Sequence, residues 1–224
     1  MSPAAAAVIF DVDGVLLDLT AAEEDVFFGA FAQWCPPGSL SRHWNTYRIR
    51  NDDNIVDEIM ETHCISALHK PGIVQDYFAR LEQRLADRSV HATAMPGASE
   101  LITALHDIST LGIATANFRE AARLRLAMAG LWEPVSALAF GADGGGHKHE
   151  ILGRALAACG LPKHRVVYIG DNTNDVEAGL RHGVHFIGYS TSAERRASLS
   201  AAGARQLSSH HGETLDLIRR SLSA

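Results

Sequence analysis

The chain has 224 residues, 46% of them hydrophobic and 21% charged, with 20 Lys and Arg against 26 Asp and Glu and a formal net charge of −6. This is the composition of an ordinary globular chain rather than a disordered or fibrous one, and the basic residues are scattered instead of forming a stripe, so nucleic acid is not an expected partner. No run approaches the roughly 18 apolar residues of a membrane span. The start lacks a basic region ahead of an apolar one, so no secretory signal is expected, and the widely spaced Cys35, Cys64 and Cys159 fit unpaired thiols in a reducing cytoplasm.

Val8, Ile9 and Phe10 form a short apolar run that predicts a strand buried on both faces. Two aspartates follow, Asp11 and Asp13, and then Gly14. Carboxylates at the end of a buried strand are costly unless something uses them. Residues i and i+2 of an extended chain point the same way, so the pair is expected to converge beyond the strand end on a point that attracts a cation. The stretches 23–34, 52–63 and 71–88 then carry helical spacing, the last opening on Pro71 where a first turn tolerates it. From about residue 96 the rhythm becomes an alternation of helices with strands over 111–117, 135–141, 165–172 and 184–190. Repeated units of this kind imply a parallel sheet with helices on both faces. The reading is an α/β chain: a Rossmann-like doubly wound core of residues 1–16 and 91–224, with a small, mostly helical cap of residues 17–90 lodged after the first strand.

Open parallel sheets bind ligands beyond the carboxyl ends of their strands. Four segments deliver polar residues there: Asp11 and Asp13, then Thr115 and Asn117 around Ala116, then Lys148 just before a helix, then Asp171 and Asp175. A hydroxyl, backbone amides at a helix start and a lysine make an anion site. Asp11, Asp13 and Asp171 make a hard oxygen site suited to Mg²⁺. Three carboxylates against a dication and one lysine leave such a site near neutrality, so an incoming phosphate need not face unscreened acid.

In this order and placement the segments resemble the haloacid dehalogenase-like hydrolase superfamily, with "FDVDGV" as its first motif, "IATAN" as its second, Lys148 as its third and "IGDNTND" as its fourth. The resemblance spans essentially the whole chain. It implies Asp11 as a nucleophile that forms an aspartyl-phosphate and Asp13 as general acid and base. Thr115 and Lys148 would hold the phosphoryl group, and Asp171 would bind Mg²⁺ together with the backbone carbonyl of Asp13, with Asp175 as a further metal partner. An aspartate at position 13 is what separates the phosphatases from the dehalogenase branch, so C–halogen hydrolysis is disfavoured. The expected activity is hydrolysis of a small phosphorylated metabolite, phosphoglycolate-like or a sugar phosphate, by a monomer or homodimer. The runner-up is a phosphomutase of the β-phosphoglucomutase type. A response-regulator receiver would also use an aspartyl-phosphate and a lysine, but on a middle strand and without this cap.

The chain departs from the family pattern in places. His147 and His149 flank Lys148, three glycines precede it, and "VLLDLT" follows Gly14 in place of the usual continuation. In the cap, "YRIRNDDNI" puts Arg50 at the basic position that can face the core, where it would bind an anionic group of the substrate; Arg48 is the weaker candidate.

Overall fold

A computed structural model describes residues 6–18 and 22–223. In chain order the elements are β1 (Ala7–Phe10), α1 (Ala22–Gly29), α2 (Asp52–Thr62), α3 (Lys70–Ala86), α4 (Ala98–His106), β2 (Thr110–Ala114), α5 (Arg119–Met128), α6 (Trp132–Val135), β3 (Leu138–Phe140), α7 (Lys148–Cys159), β4 (Val166–Gly170), α8 (Thr173–His182), β5 (His185–Tyr189), α9 (Ala193–Ala201), β6 (Gln206–Ser208) and α10 (His211–Ser223). The strands form one six-stranded sheet in the order β3-β2-β1-β4-β5-β6, and every neighbouring pair is parallel. This is the doubly wound α/β architecture expected from the alternating elements.

The period of two along each strand assigns the two faces of the sheet. Val8 and Phe10 of β1 join Ile113, Val167 and Ile169 in a core closed by Leu101, Leu105, Leu126 and Ile218 from α4, α5 and α10. Ala7 and Ile9 point the other way, against Tyr168, Ile151, Leu152 and Val176 from β4, α7 and α8. Full burial of a side chain of this kind contributes roughly 1.5–3 kcal/mol, which is why β1 reads as a continuous apolar run rather than an alternating one.

The helices between β1 and α4 gather around a separate apolar cluster that includes Phe27, Phe31, Ile55, Ile59, Tyr77 and Leu81 and that also takes in Phe118 and Ala121 at the start of α5. The chain leaves and re-enters the sheet region side by side: Asp18 N–H donates to Thr93 O at 2.9 Å and Met95 N–H to Leu16 O at 2.9 Å. Helix α1 is shorter than the apolar spacing over 23–34 predicts. After Gly29 the chain continues in tight turns, with Ala30, Phe31 and Ala32 each bonding three residues back, and Pro36 and Pro37 follow, which cannot continue a helix. The strand predicted from Val135 begins only at Leu138, because residues 132–135 form the short α6. Among the described residues no helix is long and apolar enough to cross a membrane.

Candidate active site

From β1 the connection to β2 runs one way along the sheet, and β4 lies on the other side of β1. The carboxyl ends of β1 and β4 therefore flank the switch point, where a crevice opens. Asp11 follows β1 and Asp171 follows β4, so two carboxylates enter that crevice from adjacent strands. Carboxylate oxygens of Asp11, Asp171 and Asp175 lie within 4.8 Å of one another. Gly14 makes room for this approach. It sits at φ +76°, and a Cβ there would stand 2.4 Å from Asp171 Oδ2, so no other residue fits without displacing the carboxylate.

Lys148 ties the cluster together. Its Nζ lies 2.7 Å from Asp11 Oδ1 and 3.0 Å from Asp175 Oδ1. Three glycines with positive φ, Gly144 at 84°, Gly145 at 71° and Gly146 at 97°, reverse the chain ahead of it, a conformation open chiefly to glycine. Lys148 is then the first residue of α7 rather than the residue before it. The loop is pinned from the helical region: Asn51 Nδ2 donates to Gly146 O at 2.6 Å, and Gly146 N–H donates to Asn54 Oδ1 at 2.9 Å. Asp175 is engaged on both oxygens. Oδ1 also accepts from the Tyr168 hydroxyl at 2.6 Å, and Oδ2 accepts from Asn172 N–H at 3.1 Å as part of the box that caps α8.

Burial pushes the Asp11 carboxyl up to about 8; Lys148 opposes this, and Asp175 and Asp171 add to it. Burial, joined by the charge of Asp175, raises Asp171 to about 6, with Arg195 opposing from 3.0 Å. Like charges held this close favour protonation unless a cation lies among them. The donor set is all carboxylate oxygen around a glycine-made recess, which fits a hard dication such as Mg²⁺.

The carboxylate of Asp13 does not join this cluster. The expectation that it would converge with Asp11 assumed extended backbone, but β1 ends at Phe10 and residues 12–17 form turns, with Leu16 and Leu17 N–H both donating to Val12 O. Asp13 faces Arg125 instead, with Nη1 at 2.6 Å from Oδ1 and Nη2 at 3.5 Å from Oδ2. The same Nη1 lies 2.7 Å from Glu23 Oε2, and Nη2 donates to Asn117 Oδ1 at 2.6 Å. Asn117 Oδ1 also accepts from the Thr115 hydroxyl at 2.8 Å. Asp52 is buried nearby, accepting Phe118 N–H at 2.7 Å, and its own N–H donates to Ala116 O at 2.9 Å. Burial raises Glu23 and Asp52 to about 7 each, Arg125 opposing the first shift and the Phe118 hydrogen bond the second.

The sequence reading missed Glu23, Arg125 and Arg195. For Arg125 a signal existed: it shares the buried face of α5 with Ala121, Ala122 and Leu126, so a charge occupies a position where helical spacing calls for an apolar residue. Arg50 is exposed at the mouth of a cleft of about 790 Å³ that also holds Asp11, Asp13, Thr115, Lys148 and Asp171. Among the described residues it makes no ion pair, whereas Arg48 is held by Glu58 and Glu61. Phe27, Trp44, Ile55 and Tyr77 also line this cleft. His147 and His149 stack on each other with ring centroids 5.6 Å apart, beside a smaller recess of about 260 Å³ that Arg50 also lines.

Fold and site together define a doubly wound α/β chain with a carboxylate and lysine cluster at its switch point, and the comparisons give it a family. The haloacid dehalogenase-like hydrolase family model matches residues 8–189, and the chain belongs to that family. A search of curated proteins finds no significant match. Among solved structures, a protein from Bacteroides vulgatus assigned as a β-phosphoglucomutase is similar at TM-score 0.70 and 19% identity, covering 100% of this chain and 92% of its own. A protein from Lactobacillus plantarum assigned as a phosphoglycolate phosphatase is similar at TM-score 0.65 and 18% identity, with 96% and 99% covered. A haloacid dehalogenase family hydrolase from Deinococcus radiodurans, solved with bound phosphate and sodium, is similar at TM-score 0.62 and 21% identity, with 99% and 97% covered.

Proposed function

We propose that this chain is a Mg²⁺-dependent phosphomonoester hydrolase that acts on a small phosphorylated metabolite through an aspartyl-phosphate at Asp11. The observation that carries the reading is the meeting of Asp11, Lys148, Asp171 and Asp175 at the switch point, with Asp13 two residues beyond the nucleophile. The phosphate bound by the Deinococcus radiodurans relative and the phosphatase assignment of the Lactobacillus plantarum relative support it. Residues 17–90 act as a cap over residues 1–16 and 91–224, and the unpaired Cys35, Cys64 and Cys159 favour a reducing cytoplasm.

Asp11, Asp171 and Asp175 would hold the metal, with Asp13 contributing its backbone carbonyl. When bound, the metal supplies positive charge that neutralises the phosphoryl oxygens and keeps the neighbouring carboxylates ionised. In the first step an Asp11 carboxylate oxygen attacks phosphorus, a P–O bond forms, and the bond to the leaving oxygen breaks as Asp13 gives that oxygen its proton. In the second, Asp13, now ionised, takes a proton from a water that attacks phosphorus and breaks the bond to Asp11, releasing inorganic phosphate. Lys148 and Thr115 stabilise charge on the transferring group throughout. Asn117 orients the Thr115 hydroxyl, and Arg50 reads an anionic part of the leaving group, as in a phosphoglycolate-like ester.

The alternative is a phosphomutase of the β-phosphoglucomutase type, favoured by the likeness to the Bacteroides vulgatus protein. A panel of phosphorylated metabolites assayed for phosphate release, with Mg²⁺ and with EDTA, separates the two. The proposal expects Mg²⁺-dependent release without a bisphosphate activator. Activity only with a bisphosphate, and isomerised rather than dephosphorylated product, would establish the mutase instead.

A further inference from the structure

Arg125 is one of the largest fully buried side chains in the molecule, and its five N–H groups are all engaged. Nε donates to Ala121 O at 3.4 Å, Nη1 to Asp13 and Glu23, and Nη2 to Asn117 and Asp13. A buried ion pair of this kind is a poor way to gain stability, because desolvation offsets most of the attraction and an apolar residue of similar volume would serve as well or better. Its place on the apolar face of α5 sharpens the point: packing alone calls for Leu or Met there. What the guanidinium does that neither could do is address both oxygens of Asp13 at once, which fixes the rotation of that carboxyl as well as its location. Through Asn117 Oδ1 it also fixes the acceptor of the Thr115 hydroxyl. Glu23, from α1, anchors the guanidinium at the same Nη1 that meets Asp13 Oδ1.

We infer that Arg125, anchored by Glu23, is a positioning residue that holds the Asp13 carboxyl in the orientation needed for proton transfer to and from the reacting oxygens. The inference rests on the acid–base reading of Asp13. Arg125 touches neither substrate nor phosphorus in this scheme and acts only through Asp13 and Asn117.

The test compares kcat/KM, which reports steps through release of the alcohol, for p-nitrophenyl phosphate and for glycerol 2-phosphate. The first leaving group departs without a proton; the second requires one, and a positioned acid is worth about 10²–10⁴-fold there. Arg125→Lys keeps the charge and loses the fork. It should lower kcat/KM for glycerol 2-phosphate by about 10–100-fold and for p-nitrophenyl phosphate by less than about 3-fold, a fraction of the acid's full effect. Placed in an Asp13→Asn background, it should add no further loss, since the two act as a unit. Removal of Arg125 can leave buried carboxylates unpaired and prevent folding, so the double variant Arg125→Met with Glu23→Gln, which takes out the cation together with one of its anions, repeats the comparison. Equal losses on both esters in Arg125→Lys, beside a selective loss in Asp13→Asn, would overturn the inference alone. A non-selective loss in Asp13→Asn would overturn the acid–base reading and the inference with it. Failure of both Arg125 variants to melt cooperatively would assign Arg125 to structure only.

Discussion

Two buried cations stand on the same edge of the sheet, and each binds two carboxylates, but in different ways. Lys148 bridges Asp11 and Asp175, both supplied by the sheet region from elements whose sequence patterns announce them. Arg125 bridges Asp13 and Glu23, joining the segment after β1 to α1. An ammonium is a point charge with three rotatable donors, able to shift from one oxygen to another as charge moves during a reaction; a guanidinium is a rigid fork that holds its partners in one geometry. In the proposed mechanism the difference divides the labour: the lysine would answer the nucleophile and the transferring group, and the arginine would immobilise the acid.

Breaking the lysine side should have the largest effects. Asp11→Asn removes the proposed nucleophile, and turnover should fall on the order of 10⁴-fold or more, while circular dichroism and melting show an intact fold. Residual activity within tenfold of the parent would contradict the nucleophile assignment. Lys148→Met should lower kcat by about 10²–10³-fold, as expected when a preorganised charge is removed from the reacting centre. It should also lower the melting temperature of the metal-free protein, because Asp11 and Asp175 lose their shared counter-charge. Mg²⁺ should restore part of that stability, and unchanged melting in both conditions would deny Lys148 its bridging role.

The acidic clusters also set a pH dependence with a definite sign. Asp52 lies at 3.8 when unperturbed and is raised by burial to about 7 in the folded chain. Between those values the folded state therefore binds more protons than the unfolded one, and stability falls as pH rises through that window. Asp11, Glu23 and Asp171 are raised in the same direction. Metal-free protein should thus melt at lower temperature at pH 8 than at pH 5, with Mg²⁺ narrowing the gap. Asp52→Asn keeps an oxygen to accept Phe118 N–H but cannot ionise, so it should flatten the slope, raising melting more at pH 8 than at pH 5. A melting temperature that rises from pH 5 to pH 8 in EDTA would refute the account of these carboxyls.

The smallest effect on general activity belongs to Arg50. Exposed at the cleft mouth, it should matter only to a substrate with a second anionic group. Arg50→Ala should cost about 1.5–3 kcal/mol in kcat/KM for such a substrate and leave p-nitrophenyl phosphate nearly unaffected. Uniform loss on both would trace instead to packing of the helices between β1 and α4.

What could be read from the sequence follows from how local each feature is. The strand ends that carry Asp11, Thr115 and Asp171, and the helix start that carries Lys148, are each specified within a few residues by an apolar run and a turn or cap. The doubly wound sheet follows from repeating the same local unit. The Asp13–Arg125 and Arg125–Glu23 contacts span 112 and 102 residues, and no pattern of propensity or period reports a contact of that range. Only the misplaced charge on the apolar face of α5 hinted at it. The direction of Asp13 escaped for a different reason: the alternation of side chains holds only within a strand, and the strand had ended at Phe10. Arg195 reaches Asp171 from α9, in a stretch with no motif to single it out.

The central claim, that Asp11 and not a neighbouring carboxylate takes the phosphoryl group, has one direct measurement. The protein is mixed with p-nitrophenyl phosphate and Mg²⁺, quenched in acid within the first turnover, and treated with borohydride, which reduces an acyl phosphate to the alcohol. Peptide mass analysis should then find homoserine in place of Asp11 and unmodified aspartate at positions 13, 171 and 175. Homoserine at any of those three positions, or none anywhere while phosphate is being released, would contradict it.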